Sequence, residues 1–446
     1  MRAAPIDLSD RTPAPHPLPP ALRHAQWRRS IGALALGGLT AGTIALAVGA
    51  AGARQRYFVP ASRDAFPDWL AGPLHPLGAA VEPRTGALLL LAMSACYLAT
   101  LATARTLPLR LIWATAIVAH VAMLLAPPLF SADVLGYVSY ARLFVVHGLD
   151  PYVHGASAAP LDPARAFVLW HGIATPYGPL FTALSLPLGW LSVPVALWTC
   201  KALTAAGSLA CGALVARIAR ARGDAPAAPL AFFALNPLLL AYEVGGGHND
   251  VLPLALTLLA ILLVLRGKPA AAGAGAALAF GAKASSGLVL PFVLLASTPR
   301  RTALAGVALA LALLGALAAV LFGTDSLTVA HQLRQQQDFV AVNSVPSRTA
   351  QLLGFDSLPD PLRVAFACIF ALAVAALLWA VWRRRLDWIA GLGWATLGLL
   401  LVSAWLVPWY AVWLLPLAAV ARNRALQLTT LLFCAYVLTT QVHWLL

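Results

Sequence analysis

Long apolar runs recur along most of this chain, and each approaches the length that a hydrocarbon bilayer requires. Residues 302–322 and 364–382, for example, contain no charged side chain. A transmembrane helix needs about 20 consecutive apolar residues. The 446-residue chain is 61% hydrophobic and only 10% charged, whereas soluble domains carry about 25% charged residues. The sequence therefore predicts a polytopic membrane protein whose solvent is the lipid bilayer.

The apolar runs predict an all-α bundle of about 13 transmembrane helices. We expect them near residues 31–52, 86–104, 110–128, 195–216, 227–242, 250–266, 269–282, 285–299, 302–322, 363–382, 388–406, 410–421 and 425–445. The proline-rich residues 1–30 predict a disordered cytoplasmic tail. The multi-pass domain would then cover residues 31–446.

The net charge of +14 is spread over short basic turns between the apolar runs. A nucleic-acid-binding protein would instead gather its basic residues into one stripe, so no nucleic acid partner is expected. We expect a protein of the cell (inner) membrane, and the positive-inside rule places its N-terminus on the cytoplasmic side. Three long loops, about 53–85, 129–194 and 323–362, then lie outside. Long loops in a compact bundle are usually functional, so we expect short helices and the working site on the extracytoplasmic side.

One further apolar segment, Tyr177 to Trp190, does not fit as a span. Counting it as a transmembrane helix would place the basic turn after residue 216 on the outer side. The segment also contains Pro179, Pro187 and Gly189. It is therefore predicted to be an interfacial or re-entrant helix.

The first polar cluster begins the second outer loop, after two prolines that end the preceding apolar run. Ser131 can cap a new helix, which would place Asp133 in the first turn with Tyr137 on the same face. A carboxylate beside tyrosines at a membrane surface can act as a general base for a sugar hydroxyl. Alternatively, Asp133 only stabilises the helix N-terminus. The local residues favour this second role.

The second cluster is the turn Gly245-Gly246-Gly247-His248-Asn249-Asp250. Three glycines bring the backbone close to a ligand, and three polar side chains follow at once. The alternative is a flexible turn that merely joins two helices. The density of hydrogen-bonding groups favours a binding site. One histidine and one carboxylate give only a weak signal for a metal.

Two basic positions could hold an anion. Lys283 lies between two apolar stretches too short to cross a full bilayer, so its ammonium either binds an anion such as a lipid phosphate or snorkels to water. Arg348, together with Arg334, could clamp a phosphate or be an ordinary loop charge. The segment from Val407 to Trp413 has the composition of an aromatic belt at the membrane interface.

The order of these motifs resembles the polyprenol-phosphate-mannose-dependent alpha-1,6-mannosyltransferases of the GT-C fold. The resemblance runs from about Pro127 to Trp413 and depends on seven short motifs. In chain order they are Ser131-Ala132-Asp133-Val134 with Tyr137, Gly148-Leu149-Asp150-Pro151-Tyr152, Tyr177-Gly178-Pro179, Asn236-Pro237, Gly247-His248-Asn249-Asp250, Lys283 and Pro408-Trp409-Tyr410.

The resemblance implies a membrane glycosyltransferase that moves a sugar, mannose by analogy, from a polyprenyl-phosphate donor to a glycan or glycolipid acceptor with inversion. It implies Asp133 as the base, and Lys283 and Arg348 as donor phosphate ligands. His248, Asn249 and Asp250 would contact sugar or acceptor, with Tyr137 and Tyr177 beside them. Asp133 is followed by Val134 and Leu135 rather than by a second acid, so neither a metal nor another cofactor is expected.

A lipid-linked oligosaccharide transporter or flippase is the alternative from another class. A carrier would need ionisable residues at mid-membrane, and only Lys201 and Lys283 meet that condition even loosely. A scaffold without catalysis would leave the crowded polar turns of the outer side unexplained.

Overall fold

The computed structural model describes residues 20–52, 67–79, 81–323 and 339–442, and within these ranges the chain forms helices and turns without strands. Most of the predicted tail, residues 1–19, lies outside them. The α-helices in chain order are α1 Pro20–Gly52, α2 Asp68–Ala71, α3 Pro83–Thr103, α4 Leu109–Leu125, α5 Asp133–His147, α6 Pro179–Ser185, α7 Val193–Ala221, α8 Ala227–Ala234, α9 Val251–Leu265, α10 Pro269–Ala282, α11 Val289–Ala296, α12 Arg300–Phe322, α13 Val345–Leu352, α14 Asp360–Trp382, α15 Trp388–Val402, α16 Leu415–Val420 and α17 Arg424–Val442.

Five of the described helices are long and apolar enough to cross a membrane, and several shorter apolar helices accompany them. The five lie at Gln26–Gly52, Pro83–Thr106, Val193–Ala221, Arg300–Phe322 and Asp360–Trp382. The predicted all-α, polytopic membrane fold is confirmed. The first helix begins at Pro20 rather than near residue 31. Residues 20–30 of the predicted disordered tail are therefore helical.

Two predicted membrane helices are broken in the structure. The predicted helix 227–242 is split into α8 and a π-helical turn, Leu239–Val244, on either side of the Asn236-Pro237 step. The predicted helix 410–421 is a 3-10 turn, Pro408–Trp413, followed by the short α16. Proline removes a backbone donor and clashes with the preceding turn, which accounts for both interruptions.

The segment from residue 177 to 190 forms α6 and a 3-10 turn, Leu186–Trp190. At about 1.5 Å per residue the two together are about 18 Å long. A hydrocarbon core is about 30 Å thick. The segment is therefore too short to cross the bilayer as a single helix, and its interfacial or re-entrant placement stays a prediction.

Close helix packing holds the first half of α10, the helix that ends at the Lys283 junction. A Cβ atom added at Gly273 would overlap the carbonyl oxygen of Ala303, and one at Gly306 would overlap that of Ala270. Since α10 and α12 approach backbone to backbone, as small residues allow in membrane bundles, α10 is held firmly in place.

Candidate functional site

A cavity of about 280 Å³ lies where the N-terminus of α5 meets the end of α10 and the 3-10 turn before α16. It is lined by Phe130, Ser131, Ala132, Asp133, Gly136, Tyr137, Tyr140, Val168, Leu169, Trp170, Ile173, Pro176, Tyr177, Asp250, Lys283, Ala284, Ser285, Phe339, Trp405, Trp409, Tyr410 and Trp413. Five of the residues proposed from the sequence are among them: Asp133, Tyr137, Tyr177, Asp250 and Lys283. Segments far apart in the chain thus form one site.

Asp133 begins α5, as predicted from the two prolines before it. The Ser131 hydroxyl accepts a hydrogen bond from the backbone N–H of Asp133 at 3.1 Å. The Asp133 side chain keeps 23% of its surface exposed and faces the cavity. Its carboxylate is therefore accessible from the cavity.

The pKa of the Asp133 carboxyl is raised to about 6, and burial is the largest cause of this rise. The Lys283 ammonium and the Ser131 hydroxyl oppose this rise, and the neighbouring Asp250 carboxylate adds to it. A carboxylate with a pKa just below neutral is ionised at pH 7 and yet basic enough to take a proton. This is the property that a general base requires.

Tyr137 and Tyr177 meet edge to face on one wall, with ring centroids 5.2 Å apart. Tyr177 reaches this wall because the following glycine packs onto the end of α10. The Gly178 N–H donates to the Ala282 carbonyl at 3.2 Å, and a Cβ atom at Gly178 would overlap the Gly281 carbonyl oxygen. The Tyr177-Gly178-Pro179 motif, to which the residues alone gave no role, therefore links the second outer loop to the Lys283 junction.

The glycine-rich turn is shaped by its own glycines and by a buried lysine. Gly247 has a φ of 72°, in the left-handed region that favours glycine. A Cβ atom at Gly246 would lie 2.7 Å from Cδ2 of the His248 ring. From α7, the buried Lys201 ammonium donates to the Gly245 carbonyl at 2.6 Å. Lys201, which sequence analysis considered only as a sign of a carrier, is thus a structural support of the turn.

His248 lies behind the cavity wall, since it is fully buried and does not line the cavity. Its ring stacks on Trp409 with centroids 3.9 Å apart, and its Nδ1 atom is 3.8 Å from Oδ2 of Asp133. Burial lowers the pKa of His248 well below its usual value. Asn249 is also buried and outside the lining. The cavity lining therefore does not include His248 or Asn249, and His248 packs next to Asp133 without a hydrogen bond between them.

The Lys283 ammonium forms an ion pair with Oδ1 of Asp250. Asp250 is buried, whereas Lys283 keeps 15% of its side-chain surface exposed. The same Asp250 oxygen accepts a hydrogen bond from the Trp413 indole at 2.6 Å. The Lys283 ammonium also lies 5.1 Å from the ring centroids of both Tyr410 and Trp413. The anion beside Lys283 is therefore the fixed carboxylate of Asp250, and the Lys283 ammonium still borders the cavity.

The Val407–Trp413 segment, whose composition is that of an aromatic interface belt, also contributes to the cavity. Trp409, Tyr410 and Trp413 line the cavity. Tyr410 and Trp413 stack with centroids 4.2 Å apart. Three more aromatic side chains at the cavity, Trp170, Phe339 and Trp405, contact one another at centroid distances of 5.2 to 6.2 Å. No local spacing in the sequence connects these three residues, so they were not predicted to belong to a site.

Arg348 lies apart from the cavity lining. It is exposed on α13, where its guanidinium donates to Oδ1 of Asn343 at 2.5 Å and to Oε1 of Gln351 at 3.1 Å. The structure therefore does not bring it to the Lys283 ammonium. Arg334 lies outside the described residues. Within those residues, no group of three or more His, Cys, Asp and Glu side chains could hold a metal ion.

Replacing Gly247 by Ala should lower the free energy of unfolding by about 1–2 kcal/mol, the cost of the left-handed conformation for a residue with a Cβ atom. The new Cβ would also lie 3.2 Å from Cγ of Lys201. Thermal unfolding in detergent measures the change. Gly315→Ala is the matched control, because a Cβ there meets nothing within 4 Å. Equal melting temperatures for both variants would contradict this account of the turn.

Comparison with known proteins gives two family matches. Residues 34–299 match the alpha-(1->6)-mannopyranosyltransferase N-terminal domain. The chain belongs to this family. Residues 347–442 match the MptB C-terminal domain. Together the two matches cover all the residues that line the cavity except Phe339, and the first match includes the glycine-rich turn and the Lys283 junction.

Individual relatives carry the same description. An alpha-(1->6)-mannopyranosyltransferase A from Corynebacterium glutamicum is 32% identical over 178 residues, which is 39% of this chain and 36% of the relative. A Mycolicibacterium smegmatis protein named a probable alpha-(1->6)-mannopyranosyltransferase is 28% identical over 376 residues. This alignment covers 70% of this chain and 65% of the relative. The alpha-(1->6)-mannopyranosyltransferase A of Mycobacterium tuberculosis is 25% identical over 334 residues, with 69% and 64% covered.

The aligned part of this chain spans less than two thirds of the length of each of these relatives. No solved structure gives a significant match. The chain is thus a multi-pass membrane member of a glycosyltransferase family.

Proposed function

We propose that this protein is a membrane mannosyltransferase that takes mannose from a polyprenyl-phosphate donor and transfers it, with inversion, to a glycan or glycolipid acceptor. One observation carries the proposal: in a chain of this family, the Asp133 carboxylate and the Lys283 ammonium line the same cavity. One of these groups can remove a proton, and the other can bind a phosphate. Aromatic rings of the kind that pack on sugar faces line the space between them.

In the proposed reaction, an acceptor hydroxyl gives its proton to the Asp133 carboxylate as its oxygen attacks the anomeric carbon of mannose. The bond from that carbon to the phosphate oxygen breaks, and the polyprenyl phosphate leaves with the electron pair. Lys283 stabilises the negative charge on the leaving phosphate. Attack from the face opposite the phosphate inverts the anomeric centre.

Lys283, rather than Arg348, is assigned to the donor phosphate. Asp250 and the Trp413 indole hold the Lys283 ammonium at the cavity, where it would meet the phosphate in a fixed geometry. Arg348 does not line the cavity, and its guanidinium already donates hydrogen bonds to the side chains of Asn343 and Gln351. We set aside its predicted role as a phosphate ligand on these grounds. Asp250 is assigned to positioning Lys283, since its second carboxylate oxygen is buried.

The extracytoplasmic side is proposed for the cavity because the opposite helix ends carry the basic turns. There Arg222 pairs with Asp387 at 3.2 Å, and Arg422 pairs with Asp224 at 2.6 Å. Such turns face the cytoplasm under the positive-inside rule. The cavity then opens on the outer surface, where a lipid-linked donor presents its sugar.

The rate should depend on pH through Asp133. Since its pKa is raised to about 6, protonation below that pH removes the base, and kcat/KM should fall about tenfold for each further pH unit. Near neutral pH and above, the carboxylate is ionised and this dependence should vanish. The charged groups that face Asp133 are Lys283 and Asp250. Initial rates between about pH 5 and pH 8 test this, and a profile flat through pH 6 would contradict the role of Asp133.

The proposal is tested with the purified full chain in lipid nanodiscs. Polyprenyl-phosphate mannose is the donor and octyl α-mannoside the acceptor. We expect a disaccharide whose new linkage has the anomeric configuration opposite to that of the donor, as read by NMR. Transfer from a nucleotide-linked mannose instead, or translocation of lipid-linked sugar without any transfer, would overturn the proposal, and the second result would favour a carrier.

A further inference from the structure

A second pocket, of about 410 Å³, lies at the end of α15 opposite the cavity. It is enclosed by the end of α11, the start of α12 and the turn that joins α14 to α15. Its lining includes Thr298, Arg300, Trp382, Arg384, Arg385 and Asp387. At about 1.5 Å per residue the 15 residues of α15 span about 22 Å. The pocket shares no lining residue with the cavity, so the two are separate sites.

The charge of this pocket is positive, because three arginines and one carboxylate line it. The carboxylate, Asp387, is already engaged on both oxygens. Its Oδ2 pairs with Arg222 at 3.2 Å, and its Oδ1 accepts the backbone N–H of Ala390 at 3.2 Å. Within the described residues, none of the three lining arginines forms an ion pair. Their guanidinium groups therefore have no anion of their own.

The start of α12 adds to this positive potential. The helix begins at Arg300 and runs for 23 residues, and Pro299 before it offers no side-chain cap. The first N–H groups of a helix lack acceptors within the helix, and its dipole is positive at that end. Such an end favours a phosphate. Side chains and backbone thus select the same kind of ligand.

Arg384 occupies a backbone position that favours glycine. Its φ of 56° lies in the left-handed region, which a residue with a Cβ atom adopts at a conformational cost. The residue follows the end of α14, where the chain turns towards α15. An exposed arginine at this position places its charge at the pocket despite that cost.

Aromatic side chains place the pocket at the level of the lipid headgroups. Trp379 and Trp382 are exposed at this end of α14, with ring centroids 5.1 Å apart, and Arg383 lies 5.2 Å from the Trp379 ring. Exposed tryptophans are typical of the boundary between membrane and water. The most apolar stretch of α14 contains no buried residue, so this helix faces lipid. A ligand of the pocket can therefore be part of the bilayer itself.

We propose that this pocket binds the phosphate headgroup of an anionic phospholipid at the membrane surface opposite the cavity. The guanidinium groups of Arg300, Arg384 and Arg385 would donate to the phosphate oxygens, and the Thr298 hydroxyl would add a fourth donor. The acyl chains would lie along the lipid-facing surface of α14. Basic pockets between membrane helices bind headgroups of this kind. The inference is independent of the proposed function, because it concerns a different site and a different lipid.

Native mass spectrometry of the purified full chain, titrated with phosphatidylglycerol or with phosphatidylcholine, tests the proposal. The wild type should bind phosphatidylglycerol about tenfold more tightly than phosphatidylcholine. Arg384→Gln combined with Arg385→Gln should lower the affinity for phosphatidylglycerol about tenfold, because two of the three lining arginines are lost. The affinity for phosphatidylcholine should not change. Equal affinity for phosphatidylglycerol in the wild type and the double variant would overturn the proposal.

Arg266→Gln combined with Lys268→Gln is the matched control. Both residues are exposed in another basic turn and neither lines the pocket, so the control loses the same net charge. Its affinity for phosphatidylglycerol should stay within about twofold of the wild type. A loss equal to that of the pocket variant would mean that diffuse surface charge attracts the lipid, and it would overturn the proposal.

Arg384→Gly separates the charge of the pocket from the stability of the turn. Glycine adopts a φ of 56° without strain, so the melting temperature should not fall. The affinity for phosphatidylglycerol should nevertheless fall about fivefold, the effect of one cation near a membrane surface. An unchanged affinity in this variant would remove Arg384 from the site and contradict the proposal.

Inorganic phosphate distinguishes a lipid ligand from a soluble anion. It shares the charge of the headgroup and lacks the acyl chains, so it should not displace phosphatidylglycerol at equal concentration. Binding of inorganic phosphate to a wild type that shows no preference for phosphatidylglycerol would overturn the proposal and assign the pocket to a soluble anion. None of these measurements requires mannose transfer, so their results stand whether or not the proposed function holds.

Discussion

Asp133→Asn should lower kcat by about a hundredfold to ten-thousandfold, because the amide cannot accept the proton of the acceptor hydroxyl. The substitution preserves the size of the side chain and its exposure to the cavity. The free energy of unfolding should therefore change little, and KM for the donor should stay near the wild-type value. Mannose transfer from polyprenyl-phosphate mannose measures kcat, and thermal unfolding verifies the fold.

Asp360→Asn is the matched control for this variant. Asp360 is a carboxylate near the N-terminus of another helix, with 96% of its side-chain surface exposed. Its replacement should leave the transfer rate within about twofold of the wild type. A wild-type rate in Asp133→Asn would show that another group takes the proton and would remove Asp133 from the mechanism.

Lys283→Gln should have the second large effect, on both stability and turnover. It leaves the buried Asp250 carboxylate with the Trp413 indole and without its cation. Breaking one side of a buried ion pair costs about 3–5 kcal/mol of folding free energy. The same change removes the charge proposed to stabilise the leaving phosphate, so kcat should fall about a hundredfold or more. Unfolding and transfer are measured on the same preparation.

The double variant Asp250→Asn with Lys283→Gln separates these two effects. Removing both charges should restore most of the lost stability, since no unpaired charge is left buried. Transfer should not recover, because the phosphate still lacks its cation. Lys268→Gln, at an exposed turn, is the control and should change neither quantity. Recovery of transfer together with stability would mean that Lys283 only supports the fold.

Much of the fold could be predicted from the sequence, because apolar length and charge bias depend only on neighbouring residues. The long helices α12 and α14 have this property, and their predicted positions agree with the structure. The prediction failed where short helices are held by protein rather than by lipid. The turn Pro408–Trp413 is the plainest example. An aromatic-rich segment of this kind is found both at membrane interfaces and in binding sites. Only the tertiary packing shows which of the two environments it occupies.

The candidate site was predicted in part. Asp133, Asp250 and Lys283 each lie at a helix end, and the charge map placed those ends on one side of the membrane. Their grouping could be expected, although not their contacts. The hydrogen bond from Trp413 to Asp250 joins residues 163 positions apart, and no local pattern indicates it. For the same reason the sequence could not show that His248 lies behind the wall or that Arg348 is not part of the cavity lining.

A structure of the protein with a non-hydrolysable phosphonate analogue of polyprenyl-phosphate mannose would show whether Asp133 and Lys283 act on the same donor. We expect the phosphonate within hydrogen-bonding distance of the Lys283 ammonium, about 3 Å. It predicts the mannose ring in the cavity, with Asp133 on the face of the anomeric carbon opposite the phosphonate. Headgroup density elsewhere, with Asp133 and Lys283 both out of its reach, would contradict the account.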